Sequence, residues 1–203
     1  MRSGAALIAT QLLATSAYAS PISEAVVSVF RDVCVSPASS EARLAAAEGH
    51  ARDQHWKLVI SERAPTPTPH ADGLPDDSQL GMWEFDLGES KALLLVSILR
   101  PEPLDQRWTG CAILPEFQID LDDLAQSVDR QFGPLAKRLS GRYTPHYATW
   151  VFADDEARGN CGREISVGQV DSHQRAIEFR DYAFPDDDRW QSARAIWTPC
   201  PKQ

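Results

Sequence analysis

The sequence predicts an α+β fold, in which a mainly antiparallel sheet packs with two N-terminal helices and one long central helix. Two segments repeat apolar residues at spacings of three and four, and a segment between them is rich in alanine; both patterns are typical of helices. Eight shorter segments are alternating or continuously apolar and are separated by turn residues, which is typical of strands. Consecutive strands without helices between them favour antiparallel pairing.

The predicted helices span residues 22–35, 41–54 and about 120–139. Pro37 ends the first helix, and Ser39 or Ser40 can cap the second with a side-chain oxygen. The apolar stripe of the third helix continues past Gly133-Pro134 to Leu139, so these two residues are expected to kink or restart it.

The predicted strands span residues 56–60, 80–87, 92–99, 107–114, 147–153, 163–170, 175–183 and 190–198. The third strand is apolar throughout, as expected for a central strand that is buried on both faces. Residues 64–78 contain four prolines and are predicted to form a long loop, because proline fits neither a helix interior nor a central strand.

A faint repeat divides the chain. Each predicted block of four strands follows a helix, and Trp83-x-Phe85 recurs as Trp150-x-Phe152. The pattern suggests a duplicated helix-plus-four-strands unit, with halves at 20–117 and 118–203 of one domain that spans 20–203.

The first 19 residues have the three parts of a secretory signal peptide. Arg2 is their only charged residue, residues 5–17 form a mainly apolar stretch, and Ala17-Tyr18-Ala19 offers small residues at a cleavage site. An N-terminal helix that stays in the fold is the alternative. The pattern predicts a signal peptide at 1–19 and a periplasmic or secreted protein, and no later segment is long and apolar enough to predict a membrane span.

The chain is acidic. It carries 20 Lys and Arg against 29 Asp and Glu, so its net charge is −9, or 19 − 29 = −10 after loss of Arg2. This sign disfavours nucleic acid as a partner and favours a basic protein or an envelope component. The alternative is that the acidity only keeps an exported protein soluble.

The chain has four cysteines, Cys34, Cys111, Cys161 and Cys200, and an even number in an exported protein predicts disulfides. Three pairings are open, of which Cys34–Cys111 with Cys161–Cys200 is favoured, because it ties the first helix to a strand and the last strand to an earlier one. None forms a Cys-x-x-Cys pair, which disfavours zinc and thioredoxin-like chemistry.

One resemblance bears on the first half of the chain. Phe30-x-x-x-Cys34 at a helix end, an alanine-rich helix leading into Trp56, and Cys111-x-Ile113 on a later strand resemble small exported proteins of proteobacteria that have no assigned function. The resemblance implies a Cys34–Cys111 bridge and implies no activity.

No catalytic, cofactor-binding or metal-binding residue is predicted. The chain has no Gly-x-Ser-x-Gly or Ser-x-x-Lys motif, no phosphate-binding glycine loop, and no metal spacing among its five histidines. The acidic runs at 154–156 and 186–188 are interpreted as solvated turns. Trp190 and Trp197 lie an odd distance apart on one predicted strand, so at least one should leave the core and is a candidate contact residue.

Two functions from different classes follow. The first is a non-catalytic binding or inhibitor-like envelope module. The alternative is a carboxylate-dependent hydrolase that uses Asp86, Asp154 or Asp181 in a cleft under the proline-rich loop, since catalytic carboxylates leave no sequence motif. A metal-binding or stress-response chaperone is disfavoured, because it would need clustered His or Met.

Overall fold

The computed structural model describes residues 20–63, 78–99, 107–139, 146–152, 163–169 and 175–183. The helices in these ranges are α1 (Pro21–Phe30), α2 (Ser40–Asp53) and α3 (Leu121–Phe132). The strands are β1 (Lys57–Arg63), β2 (Gln79–Leu87), β3 (Ser90–Leu99), β4 (Arg107–Pro115), β5 (Ala136–Arg138), β6 (His146–Phe152), β7 (Arg163–Gln169) and β8 (Arg175–Ala183). The protein therefore has the predicted α+β fold.

The eight strands form one antiparallel sheet in the order β1-β2-β3-β4-β8-β7-β6-β5. Strands β1 to β4 make one meander and β5 to β8 make another, and the two join where β4 pairs with β8. Each meander follows a helix, but the second begins with β5, in a segment that was predicted to be helical, and the predicted strand at 190–198 lies outside the described residues.

The register relates the two meanders. Because β4 and β8 are antiparallel, a twofold axis perpendicular to the sheet exchanges them. Through successive pairs, Trp83 lies in register with Ile113 of β4, and Trp150 lies in register with Phe179 of β8. A twofold axis through the β4–β8 residue pair that adjoins Ile113 exchanges Ile113 with Phe179. The same axis brings Trp83 to the position of Trp150. This is the arrangement expected of a duplicated unit.

All three helices pack on one face of the sheet, which we call the helix face. From α2, Arg43 lies over the ring of Phe179, 4.7 Å from its centroid. From α3, Asp129 accepts a 2.7 Å hydrogen bond from the Trp150 indole. The core between helices and sheet consists of large side chains that are almost completely buried: Val26, Phe30, Leu94, Ile113, Leu124, Phe132, Trp150, Ile165, Ile177 and Phe179.

A disulfide fixes α1 to the sheet. The helix continues through one π-helical turn, Arg31–Val35, which carries Cys34 over β4. Cys34 and Cys111 are both fully buried and form a disulfide with a Cα–Cα distance of 5.4 Å. The structure thus confirms this bridge and the predicted extent of the first helix.

The third helix is shorter than predicted. The Gly133 N–H makes the last helical hydrogen bond, at 2.9 Å, and Pro134 has no N–H with which to continue. The chain turns, Leu135 is 57% exposed, and β5 pairs with β6. The expectation that the helix reaches Leu139 was wrong, because edge pairing replaced the second helical segment.

Several predictions fall outside the described residues. They are the signal peptide at 1–19, most of the proline-rich loop, the acidic runs at 154–156 and 186–188, and the strand at 190–198. In the ranges that are described, no helix is both long and apolar enough to cross a membrane.

Candidate functional site

Polar side chains of β6, β7 and β8 lie together on the sheet face opposite the helices, which we call the outer face. They are Thr149, Glu164, Ser166, Glu178 and Arg180, and we call them the polar cluster. Thr149 lies opposite Ser166, and Ser166 lies opposite Glu178. Glu164 lies opposite Arg180. Because paired residues share a face and strand side chains alternate between faces, the five form one patch.

Arg180 is shared between the two carboxylates of the polar cluster. Its Nη2 lies 2.8 Å from Glu178 Oε2, and its Nη1 lies 3.7 Å from Glu164 Oε1. All three side chains are partly buried, between 21% and 29% exposed. The stronger pair is therefore Arg180–Glu178, and the contact of Glu164 with Arg180 is the longer one.

Burial raises the pKa of the Glu164 carboxyl, and repulsion from Glu178 raises it further, while Arg180 opposes both. A hydrogen-bond donor or a cation that approaches this carboxyl stabilises its ionised form. The geometry points the same way, since the distance to Arg180 is longer than a hydrogen bond.

The two hydroxyls of the cluster have no hydrogen-bond partner. Ser166 is 1% exposed and Thr149 is 6% exposed, and among the described residues neither oxygen has a donor or acceptor within reach. Ser97, buried on the same face, shows the usual arrangement, because its hydroxyl donates to the carbonyl of Gly110 at 3.4 Å. Buried polar groups are normally paired, so two unpaired neighbours point to a ligand-binding role.

Small residues and an apolar patch adjoin the polar cluster. Gly110 and Ala112 of β4 lie opposite Arg180 and Glu178, so the residues next to this ion pair on β4 are small. Beyond β4, partly buried aliphatic side chains of β2 and β3 form the apolar patch: Leu80, Met82, Leu93 and Leu95. The outer face therefore offers charge on one side and apolar surface on the other.

A second charged group lies on the helix face. Arg43 is 2% exposed; its Nε donates to the Cys34 carbonyl at 2.8 Å, and its Nη2 lies 3.0 Å from Asp181 Oδ2. Burial lowers the pKa of Arg43, and Asp181 opposes that shift. This pair joins α2, the disulfide turn and β8 inside the core, so its role is structural.

The structure does not bring the proposed hydrolase carboxylates together. Asp86 is exposed on the outer face of β2, whereas Asp181 lies on the helix face of β8 and is paired with Arg43. Strands β3 and β4 separate β2 from β8. Asp154 lies outside the described residues. A catalytic pair of Asp86 and Asp181 is therefore excluded.

Some of the other residues that the sequence singled out are described by the structure, and others are not. Trp190 and Trp197 lie outside the described residues, as do Cys161 and Cys200. Of the remaining tryptophans, Trp83 and Trp150 are buried in the core, as the sequence favoured. Within the described ranges, no three His, Cys, Asp or Glu side chains are placed to hold a metal ion.

Sequence reasoning missed the polar cluster as a site. The signal was present, since Glu164-x-Ser166 and Glu178-x-Arg180 alternate with apolar residues. What the sequence could not show is that β7 pairs with β8 in the register that places these residues side by side.

Comparison with known proteins gives no guide to function. No family model matches the chain, and neither curated proteins nor solved structures give a match. The resemblance to small exported proteobacterial proteins therefore stays a prediction.

Proposed function

We propose that this protein is an exported, non-catalytic binding module whose outer face binds a basic protein of the cell envelope. The observation that carries the proposal is the polar cluster, in which two partly buried carboxylates share one arginine beside two unpaired hydroxyls. The cluster has a surplus of one carboxylate, and the whole chain has a surplus of acid. Opposite charge on a partner would steer association and fix its orientation.

The layout of the outer face supports binding to a protein. Interfaces combine an apolar centre with polar groups that set specificity, and here the apolar patch and the polar cluster flank β4. A partner segment with apolar and basic residues would match both. The helix face cannot serve, because its side chains are sealed in the core.

The proposed compartment rests on the disulfide. Structural disulfides form and persist in oxidising compartments, so the Cys34–Cys111 bridge fits a periplasmic or secreted protein. Helix α1 begins at Pro21, directly after the proposed cleavage site, and the Ser20 side chain caps it. N-terminal sequencing of the protein recovered from its own cells should start at Ser20; a chain that still carries residues 1–19 would contradict export by cleavage.

Affinity capture tests the binding function. Immobilised, oxidised protein should retain basic proteins from an envelope extract at low salt. Retention should fall in the E164Q/E178Q variant, which neutralises the outer face. The matched control is E48Q/D53N, which makes the same change in net charge at exposed positions of α2.

Equal retention by both variants would contradict the proposal, because the position of the neutralised carboxylates would then not matter. An absence of any retained basic protein would contradict it as well. Thermal unfolding of each variant confirms that the compared proteins are folded.

A carboxylate-dependent hydrolase is the second candidate, and one observation favours it. Glu164 has a raised pKa and Glu178 is its near neighbour on the adjacent strand, as in acid and base pairs. Turnover of a glycoside or ester panel that E164Q and E178Q each abolish would favour this candidate over the binding module.

A further inference from the structure

Three side chains of the polar cluster lie close together with unmet hydrogen-bonding capacity. In the part of the chain that the structure describes, Ser166 Oγ and Thr149 Oγ1 have no partner, and the ion pair of Glu164 with Arg180 is longer than a hydrogen bond. A buried hydroxyl that bonds to nothing lowers the stability of the free protein. An arrangement that keeps two such hydroxyls beside an under-paired carboxyl indicates a ligand that would satisfy all three.

The register sets how far apart these groups stand. Thr149 and Ser166 are directly opposed, which places their Cβ atoms about 5 Å apart. Glu164 is two residues from Ser166 on the same face of β7, about 7 Å along the strand, and its longer side chain can reach back toward both hydroxyls. The three oxygens can thus surround one small group.

We propose that Thr149, Glu164 and Ser166 bind the primary ammonium group of a lysine side chain, supplied by the basic partner of the proposed function. An ammonium group has three donors and no acceptor, which matches three oxygens that lack donors. It also supplies the positive charge that Arg180 provides only at 3.7 Å. The aliphatic stem of the lysine would pack beside the small residues Gly110 and Ala112, which lie opposite Arg180 and Glu178.

The partly exposed side chains determine access. Glu178 and Arg180 are 25% and 29% exposed, so the polar cluster reaches solvent beside the two buried hydroxyls. A lysine that enters would then lie beside the Arg180–Glu178 pair and leave that pair intact.

The chain offers a matched pair of serines for the test. Ser166→Ala removes a hydroxyl that has no partner, so the free protein should become at least as stable as the wild type. Ser97→Ala removes a hydroxyl that is bonded to Gly110, so the free protein should lose stability. Binding should respond in the opposite sense, falling in S166A and staying unchanged in S97A.

The probe is n-butylammonium, which reproduces the end of a lysine side chain, titrated into the isotope-labelled full chain and followed by NMR. We expect saturable shifts confined to β6, β7 and β8. Affinity should fall about tenfold in S166A and in T149V, the loss expected for one hydrogen bond to a charged group. n-Butyltrimethylammonium has the charge without the N–H donors, so it should bind at least tenfold more weakly.

Three results would overturn the proposal: no saturable shift with n-butylammonium, equal binding of the trimethylated probe, or unchanged affinity in both S166A and T149V. Unfolding curves separate a lost site from a lost fold, because S166A is expected to be as stable as the wild type. This titration can fail while the capture experiment succeeds. Retention of a basic protein together with failure of the probe would leave the binding function standing and remove lysine as its contact.

Discussion

At the scale of single residues, two of the more deeply buried charged groups, Arg43 and Glu164, have different surroundings. Arg43 is a core cation whose bonds reach Cys34 and Asp181, and it organises the junction of α2 with the sheet. Glu164 is a partly buried anion on the outer face, and its ionic contact with Arg180 is long, at 3.7 Å. The first arrangement bonds two donors of Arg43 and leaves its buried Nη1 without a partner among the described residues. The second leaves the Glu164 carboxylate with a contact longer than a hydrogen bond, which a ligand would complete.

The Arg43–Asp181 pair gives the first prediction. Asp181→Ala should lower the free energy of unfolding by about 3 kcal/mol, because it leaves a buried guanidinium without its counter-charge. Arg43→Met should cost less, since it removes the charge itself. Urea denaturation measures both, and the R43M/D181A double variant should be more stable than D181A alone. A double variant no better than D181A would contradict the role given to the pair.

Glu164 gives a prediction about pH. Its pKa in the folded protein is raised above the ordinary value of 4.5, so the folded state prefers the protonated form. The stability that this form contributes is present below pH 4.5 and is lost as the pH rises through the raised pKa. Glu164→Gln should therefore match the wild type near pH 4 and exceed it at pH 7. Denaturation midpoints at the two pH values measure this, and an E164Q variant that is less stable at pH 7 would contradict it.

At the scale of elements, sequence patterns predicted most helices and strands to within a few residues. Alternation located β2 and β8, and the continuous apolar run located β3. The patterns failed at residues 133–139, where an apolar stripe continued across Gly133-Pro134 although the helix had ended. Local periodicity cannot show that β6 is available to pair with these residues, since that pairing is a tertiary contact.

Gly81 of β2 gives a prediction at this scale. A Cβ at this position would lie 2.3 Å from Cη2 and 2.7 Å from Cζ3 of the buried Trp83 ring. Alanine usually stabilises a strand relative to glycine, but here the clash must displace Trp83 from the core. Gly81→Ala should lower the free energy of unfolding by about 1–3 kcal/mol and change the tryptophan fluorescence. A more stable G81A variant with an unchanged spectrum would contradict this packing.

The disulfide between the π-helical turn and β4 gives a further prediction about stability. It closes a segment with a sequence separation of 77, so replacing both cysteines by alanine should cost about 2–5 kcal/mol. Denaturant titration of C34A/C111A against the oxidised wild type measures the loss. Peptide mapping without reductant should recover Cys34 joined to Cys111, and free thiols at these two positions would contradict the bridge.

At the scale of the whole molecule, the two meanders have similar helix faces and different outer faces. Trp83 and Trp150 occupy related positions under the helices, whereas the outer face is apolar on β2 and β3 and polar on β6 to β8. The Trp-x-Phe repeat of the sequence falls at these related positions, on β2 and β6. The sequence could not predict the polar cluster, because that cluster exists only when β6, β7 and β8 are aligned.

The most direct test of the outer-face account compares the affinity of the captured basic partner for three proteins by calorimetry at one salt concentration. We predict that E164Q/E178Q binds at least tenfold more weakly than the wild type, and that E48Q/D53N, with the same change in net charge, binds within about twofold of it. Equal weakening by the two double variants would contradict the account, because it would place the attraction in the net charge of the chain and not on the outer face of the sheet.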